Sequence, residues 1–475
     1  MAGSISEWHV DRMPDMKATS AAILVALSLA LPVLALDPPP ASSTASAKAQ
    51  QTCGLGAAFH GGRRQELLGR VDEGLLLFRG LPETRAYLEF RQDKTFWYLT
   101  GIESPGATLL MDAASGRQVL FLPSPARNKE AWEGELWDSG DEWVGELTGF
   151  TEVRPASELL EVLEELTAKT RTIWISKHPH VAQAGCFDRA GPFDRRRAAD
   201  PLDGRASREQ ALAEQLKERF GVEVKPIDGE LFDMRRVKTA EEIDAMRRAG
   251  RAGAIAMVEA IRSTRAGIGE WDLDALMGWV HQREGGSGPA YHAIVGSGPN
   301  SLILHYSASS RRLEGGDMVL LDYGPELDHY TTDITRSWPV SGEFTPRMEE
   351  LYDAVLAAQA AGIAAVRPGG TIADVERACA RVLRERGLGK LIRHGSCHYI
   401  GLEVHDVGVY GEPLVPGVAF TVEPGVYESS TNIGIRIEDV VVVTANGCEV
   451  LTDLVPKDRK TITKLVAERG ILDGR

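Results

Sequence analysis

Residues 319–340, VLLDYGPELDHYTTDITRSWPV, place two aspartates where aspartate is normally unwelcome. Asp322 ends an apolar, strand-like run, and Asp333 lies eleven positions on (333 − 322) in a second segment rich in Thr and Tyr. Both segments favour β-structure, and a hairpin between them brings the carboxylates together. Two carboxylates side by side in a partly apolar sheet repel each other and lose hydration, so they share a proton or hold cations. The plainer alternative is a turn that begins at Asp322, with Tyr323, Gly324 and Pro325 as its body, and a solvated Asp333.

A cation site needs more ligands, and the chain offers them downstream. Residues 393–406, RHGSCHYIGLEVHD, carry His394, His398 and His405 within twelve positions. This is not a zinc-peptidase H-E-x-x-H, because Gly395 stands where the glutamate belongs. The runs FTVEPG (420–425) and IRIEDVVVV (435–443) each set one glutamate, Glu423 and Glu438, among apolar strand-like residues. A glutamate there is costly unless it is paired or metal-bound. Four carboxylates carry −4 and two divalent ions +4, which favours a pair of metals. Mostly oxygen ligands suit Mn²⁺, and one imidazole admits Co²⁺ or Zn²⁺. Two such ions activate water against a carbonyl, the chemistry of amide hydrolysis.

Upstream, Thr239-x-x-Glu242 forms a capping box, and Ile243, Met246, Gly250, Gly253, Met257 and Ile261 mark one helical face behind it. The two glycines on that face allow a close neighbour. A second helix is expected over 271–284. The same arrangement returns with helices over 348–366 and 374–386, and each pair is followed by strands. Two such ααββ halves, with helices outside a curved sheet, put a site at their join. Residues 56–230 alternate helix and strand, with a helix over 59–71 and strands over 74–78, 107–112 and 118–123, the pattern of an α/β domain. The aromatic run Phe96-Trp97-Tyr98 reads as core. Residues 186–208, charged and carrying Pro and Gly, read as a surface loop or ordered insertion.

The chain of 475 residues is long enough for two domains. Its 53 Lys+Arg against 68 Asp+Glu, a net −15, argue against a nucleic-acid partner. Residues 18–36 are apolar and uncharged, preceded by Lys17 and followed by Asp37 and a proline triplet, the layout of a signal peptide over 1–36. Cleavage is expected after Ala35 or Ala47; Pro32 favours a cleaved leader over an anchor, so no stable membrane span is expected. Glu7, Asp11 and Asp15 spoil a positive start, and translation from Met16 gives a better leader. With the leader the protein is exported, periplasmic or secreted; without it, cytoplasmic. Residues 37–55 read as a linker. Five widely spaced cysteines form no disulfide framework, although one bridge stays open.

Residues 235–455 resemble the catalytic domain of Xaa-Pro aminopeptidases and prolidases, the pita-bread metallopeptidase fold shared with methionine aminopeptidase. Residues 56–230 resemble the N-terminal domain of aminopeptidase P, notably in FRQD (90–93) and YLTG (98–101). The resemblance implies an α/β N-terminal domain, 56–230, and an α+β pita-bread domain, 231–475. It implies Asp322, Asp333, His398, Glu423 and Glu438 as ligands of two divalent ions, Asp333 and Glu438 bridging, with Asp322 on one ion and His398 and Glu423 on the other. Glu423 would also move a proton to the leaving nitrogen. His305 matches a substrate-binding histidine, His405 one that contacts the scissile carbonyl, His394 a supporting position, and Arg436 an arginine near the metals. The implied activity is release of the residue before proline from peptides, by a protein expected to self-associate. A prolidase limited to Xaa-Pro dipeptides is the alternative, and an inactive binding module of this fold a more distant one. Three departures stand out: Cys397 in place of an expected serine, Pro325-Glu326 after the first aspartate, and a loop over 427–433 shorter than in aminopeptidase P. A cysteine beside a ligand is expected to make metal binding sensitive to oxidation.

Overall fold

The strand Leu75–Arg79 is apolar without alternation, which is the pattern of a strand covered on both faces. In the computed structural model of the protein, which describes residues 53–84, 87 and 89–474, it lies inside a six-stranded sheet. Leu76 and Phe78 pack on one side with Phe59, Leu67, Phe96 and Trp97. Leu75 and Leu77 pack on the other with Val162, Leu163 and Leu216. The sheet order is Val153–Pro155, Gln118–Leu122, Thr108–Asp112, Leu75–Arg79, Thr172–Ile175, Glu223–Pro226. Thr108–Asp112 is antiparallel to both its neighbours, and every other neighbouring pair is parallel. The expected aromatic core is there: Phe96, Trp97 and Tyr98 are all buried, on the short helix Lys94–Thr100 capped by Asp93.

The two expected helix pairs form as Ala240–Ser263 with Glu270–Arg283 and Pro346–Ala365 with Ile372–Glu385. The capping box at Thr239 and Glu242 is made in both directions, at 3.4 and 2.9 Å. Strands follow each pair, but they do not run as one continuous sheet. Ile294–Ser297, Met318–Asp322 and Thr335–Pro339 make one antiparallel group; Ala419–Val422, Asp439–Thr444 and Gly447–Val450 make another. Two smaller ribbons complete the set, one of them Gly425–Glu428 with Ile433–Arg436. The ladders stop where carboxylates stand. Asp322 ends its strand, Glu423 follows Val422, Glu438 precedes Asp439, and Asp333 lies just ahead of Thr335. The groups are joined instead by the Glu438 N–H donating to Thr335 O at 3.1 Å and by Ser337 Oγ bridging to the backbone of Arg436.

Of the two expectations for residues 186–208, the ordered insertion holds for 187–199, and a loop follows over 200–207. Phe187–Ala199 is a helix of thirteen residues with Pro192 inside it, and no residue of it is fully buried. An exposed helix needs no apolar stripe, so periodicity could not reveal it. Residues 53–55, the end of the expected linker, are packed rather than free, with Cys53 buried against Thr100 O. The leader, 1–36, lies outside the described residues. Among the described residues no helix is long and apolar enough to cross a membrane. All five cysteines are unbridged.

Candidate active site

Where the carboxylates interrupt the strands, they meet. A cleft of about 370 Å³ is lined by Asp322, Asp333, His398, Glu423 and Glu438, and also by His305, His394, His405 and Arg436. All nine residues singled out in the sequence therefore face one cavity. Asp322 reaches it from the end of Met318–Asp322, which is held from both sides by Thr335 and Ile294. Ligand atoms of Asp333, His398 and Glu438 lie within 4.8 Å of one another. His398 Nε2 is 3.4 Å from Asp333 Oδ2 and 3.5 Å from Glu423 Oε1. Its other nitrogen, Nδ1, donates to the carbonyl of Tyr399 at 3.1 Å, so Nε2 is the nitrogen turned toward the carboxylates.

Around these groups sits a layer of donors. Arg436 donates from Nη2 to Asp322, from Nη1 to Tyr427 OH at 2.8 Å, and from Nε to Thr335 Oγ1 at 3.1 Å. Thr335 Oγ1 in turn donates to Glu438 Oε2 at 2.6 Å. Tyr291 OH reaches both Asp322 and Asp333, the first at 2.5 Å, yet has one proton to give. Among the described residues, Glu438 Oε1 is buried with no hydrogen-bond partner.

The charges of these groups follow from the same geometry. Burial, and then the charge of Asp333, pushes Asp322 above the usual carboxylate range. Burial, with Asp333 and Glu423 adding to it, pushes Glu438 well above its own. Burial works against the charge on Asp333 too, but His398 outweighs it and holds that carboxyl low. Burial also disfavours a charged His398, and Asp333 and Glu423 overcome it, raising the imidazole to about 9. The protein thus assembles more buried negative charge than its own donors satisfy. An orphaned carboxylate oxygen beside three more carboxylates and one imidazole fits a pair of oxygen-preferring divalent cations.

The four remaining residues occupy the walls. His394 Nε2 meets Tyr427 OH at 2.8 Å, and Arg189 Nη2 donates to His305 Nδ1 at 3.2 Å. The His405 ring stacks on His398 at 4.1 Å between centroids, tilted by 17°. Its Nδ1 lies 3.0 Å from Asp188 Oδ2.

Two family models match the chain: metallopeptidase family M24 over residues 244–445, and the aminopeptidase P N-terminal domain over residues 60–174. The Xaa-Pro aminopeptidase of Escherichia coli is 32% identical over 443 residues, covering 85% of this chain and 96% of that protein. The chain belongs to the aminopeptidase P group of the M24 metallopeptidases. The solved structure of Escherichia coli aminopeptidase P with the inhibitor Pro-Leu is similar at a TM-score of 0.75 and 30% identity, covering 86% of this chain and 98% of that one. The Xaa-Pro dipeptidase of Pyrococcus furiosus is 34% identical over 247 residues, which cover only 51% of this chain and 70% of that protein.

For an M24 peptidase, two of the three departures now have a structural account. Cys397 is buried beside His398 in the lining of the cleft, and burial drives its thiol well above the ordinary range. Glu326 turns away from the cleft and pairs with Lys94 of the N-terminal half. Sequence reading missed Tyr291, Thr335, Tyr427 and Asp188. The first three look like ordinary core residues, and Asp188 sits in the stretch that reads as a surface loop or ordered insertion.

Proposed function

We propose that this chain is an aminopeptidase that releases the N-terminal residue from peptides whose second residue is proline. Asp322, Asp333, His398, Glu423 and Glu438 would hold two divalent cations, Mn²⁺ by preference. The observation that carries this reading is the convergence of all five side chains on one cleft, with a buried glutamate oxygen left unpaired. When bound, such cations polarise a carbonyl and lower the pKa of water.

The chain's own residues account for the rest. The Glu423 side chain is 15% exposed against 9% for Asp322 and 8% for Asp333, so it faces the cleft better than either aspartate and can hold a proton at Oε1. The proline nitrogen of the scissile bond carries no hydrogen, so it must gain a proton to leave as a secondary amine, and Glu423 passes it one taken from the attacking water. His305 and His405, on the walls, bind the peptide carbonyls. His394, tied to Tyr427, and Arg436, tied to Asp322 and Tyr427, shape the site around them.

A dipeptidase restricted to Xaa-Pro is the second reading, favoured by the short connection over residues 429–432 between Gly425–Glu428 and Ile433–Arg436. Against it stands the match to an aminopeptidase P N-terminal domain. Product analysis on an Xaa-Pro-Xaa tripeptide separates the two: release of the first residue supports the aminopeptidase, and an intact tripeptide beside a cleaved dipeptide supports the other. Activity lost on chelation and restored by Mn²⁺ supports the metal assignment, whereas activity indifferent to chelation refutes it. We further propose an exported, self-associating protein, with mature chains beginning after Ala35 or Ala47; sequencing the N-terminus and sedimentation check both.

A further inference from the structure

Helix Phe187–Ala199 belongs to the N-terminal half, yet its start closes one wall of the cleft, with Cys186, Asp188 and Arg189 in the lining. Three contacts tie that turn to the catalytic half. The Phe187 N–H donates to His405 O at 3.0 Å, Asp188 Oδ2 lies 3.0 Å from His405 Nδ1, and Arg189 reaches His305. Behind them the Phe187 ring is stacked on His178 at 3.9 Å and set edge-on to Phe232 at 4.8 Å. The turn is therefore anchored before it touches the site.

His405 itself is stacked on His398, and stacking does not tell one ring nitrogen from the other. A carboxylate on Nδ1 does: it accepts the Nδ1–H and turns Nε2 toward the cleft. Among the described residues Nε2 has no hydrogen-bond partner.

We propose that Asp188 is a positioning residue for catalysis, fixing the ring of His405 so that Nε2 faces the substrate carbonyl. The inference rests on the reading above that His405 binds that carbonyl. It gives the N-terminal half a part in the reaction without contact with the substrate. The Asp188 side chain is 55% exposed, and the Phe187 N–H bond to His405 survives its removal, so the loop keeps its place in a variant.

In the full-length metal-loaded protein, Asp188→Ala is expected to lower kcat on an Xaa-Pro-Xaa tripeptide about tenfold or more, as loss of an orienting carboxylate does. KM, metal content and melting temperature stay near the parent's. Asp188→Glu recovers most of the loss, and in a His405→Ala background Asp188→Ala costs no further turnover. Parent-like turnover in Asp188→Ala, or a full second loss in the His405→Ala background, overturns the proposal. Nitrogen NMR of labelled histidine gives an arm independent of activity: the His405 Nδ1–H signal is present in the parent and lost in Asp188→Ala, and identical spectra refute the assignment. A parent protein that cleaves no Xaa-Pro peptide sinks the functional reading, and the NMR arm still decides Asp188.

Discussion

A carboxylate inside an apolar strand is anomalous, and that anomaly makes Asp322, Glu423 and Glu438 legible in the sequence alone. Their shared cleft leads to a first prediction. Asp333→Ala removes a group placed against both His398 and Tyr291, and both peptidase activity and tight metal loading should vanish; an active variant carrying two ions per chain rules out the assignment. His405→Ala should load metal normally and melt near the parent. It should lose roughly 3 kcal/mol of transition-state stabilisation, on the order of a hundredfold in kcat. Near-normal turnover in a variant that unfolds early makes His405 structural instead. What the sequence conceals are ordinary residues in unusual places. Tyr291 looks like any core tyrosine, and nothing marks His281, which is buried with neither ring nitrogen partnered among the described residues. Burial drives His281 down to about 3, below its unfolded value near 6.5, so the native state takes up fewer protons than the unfolded chain. Stability therefore falls as the pH drops from about 6.5 toward 3, by about 1.4 kcal/mol per unit for this group. His281→Leu should lose roughly 2 kcal/mol less than the parent between pH 7 and pH 5 in urea unfolding. An unchanged pH dependence means His281 is hydrated in the native state.

Among elements, helices with an apolar stripe are readable to within a few residues, since periodicity and caps point to the same boundaries. Helix Phe187–Ala199 is not, because it is solvent-facing and carries a proline. The glycines of the helix Ala240–Ser263 suggest close packing, and the structure shows how close. A Cβ at Gly250 would stand 2.6 Å from Leu451 O, a backbone atom that cannot move aside cheaply. Gly278, in Glu270–Arg283, would meet nothing within 4 Å. The two positions thus predict opposite signs for one substitution. Gly278→Ala should stabilise by about 0.5–1 kcal/mol through helix propensity alone. Gly250→Ala gains the same propensity and should still destabilise by about 1–2 kcal/mol net, from overpacking. Thermal unfolding of the two variants compares them directly, and a shift of the same sign in both contradicts the packing argument.

At the scale of the whole molecule, the sequence suggests two domains, and residues 52–475 form one compact unit. One apolar cluster runs through both halves, joining Phe59, Phe96 and Trp97 to Ile400, Leu402 and Val442. Buried charge acts both within the catalytic half and across the boundary. Arg235 donates to Glu403 at 2.9 Å and to Asp406 at 2.6 Å, gripping the loop that bears His405 from both sides. Lys94 pairs with Glu326, their side chains only 3% and 1% exposed. None of this is legible in the sequence, because pairing partners 168 to 232 residues apart leave no local pattern. The Lys94–Glu326 pair allows a clean test of what such contacts do. Removing the lysine alone strands a carboxylate whose Oε1 already lacks a partner, and Lys94→Met should destabilise by about 3–5 kcal/mol. Replacing both partners leaves no charge unpaired, so Lys94→Met with Glu326→Leu should recover to within about 1 kcal/mol of the parent. If the pair instead supplied stability in its own right, the double variant would be as weak as the single one, and the urea midpoints of the three proteins decide between these outcomes. Recovery in the double variant assigns the pair to fixing how the two halves meet, which is the placement that brings Asp188 to His405.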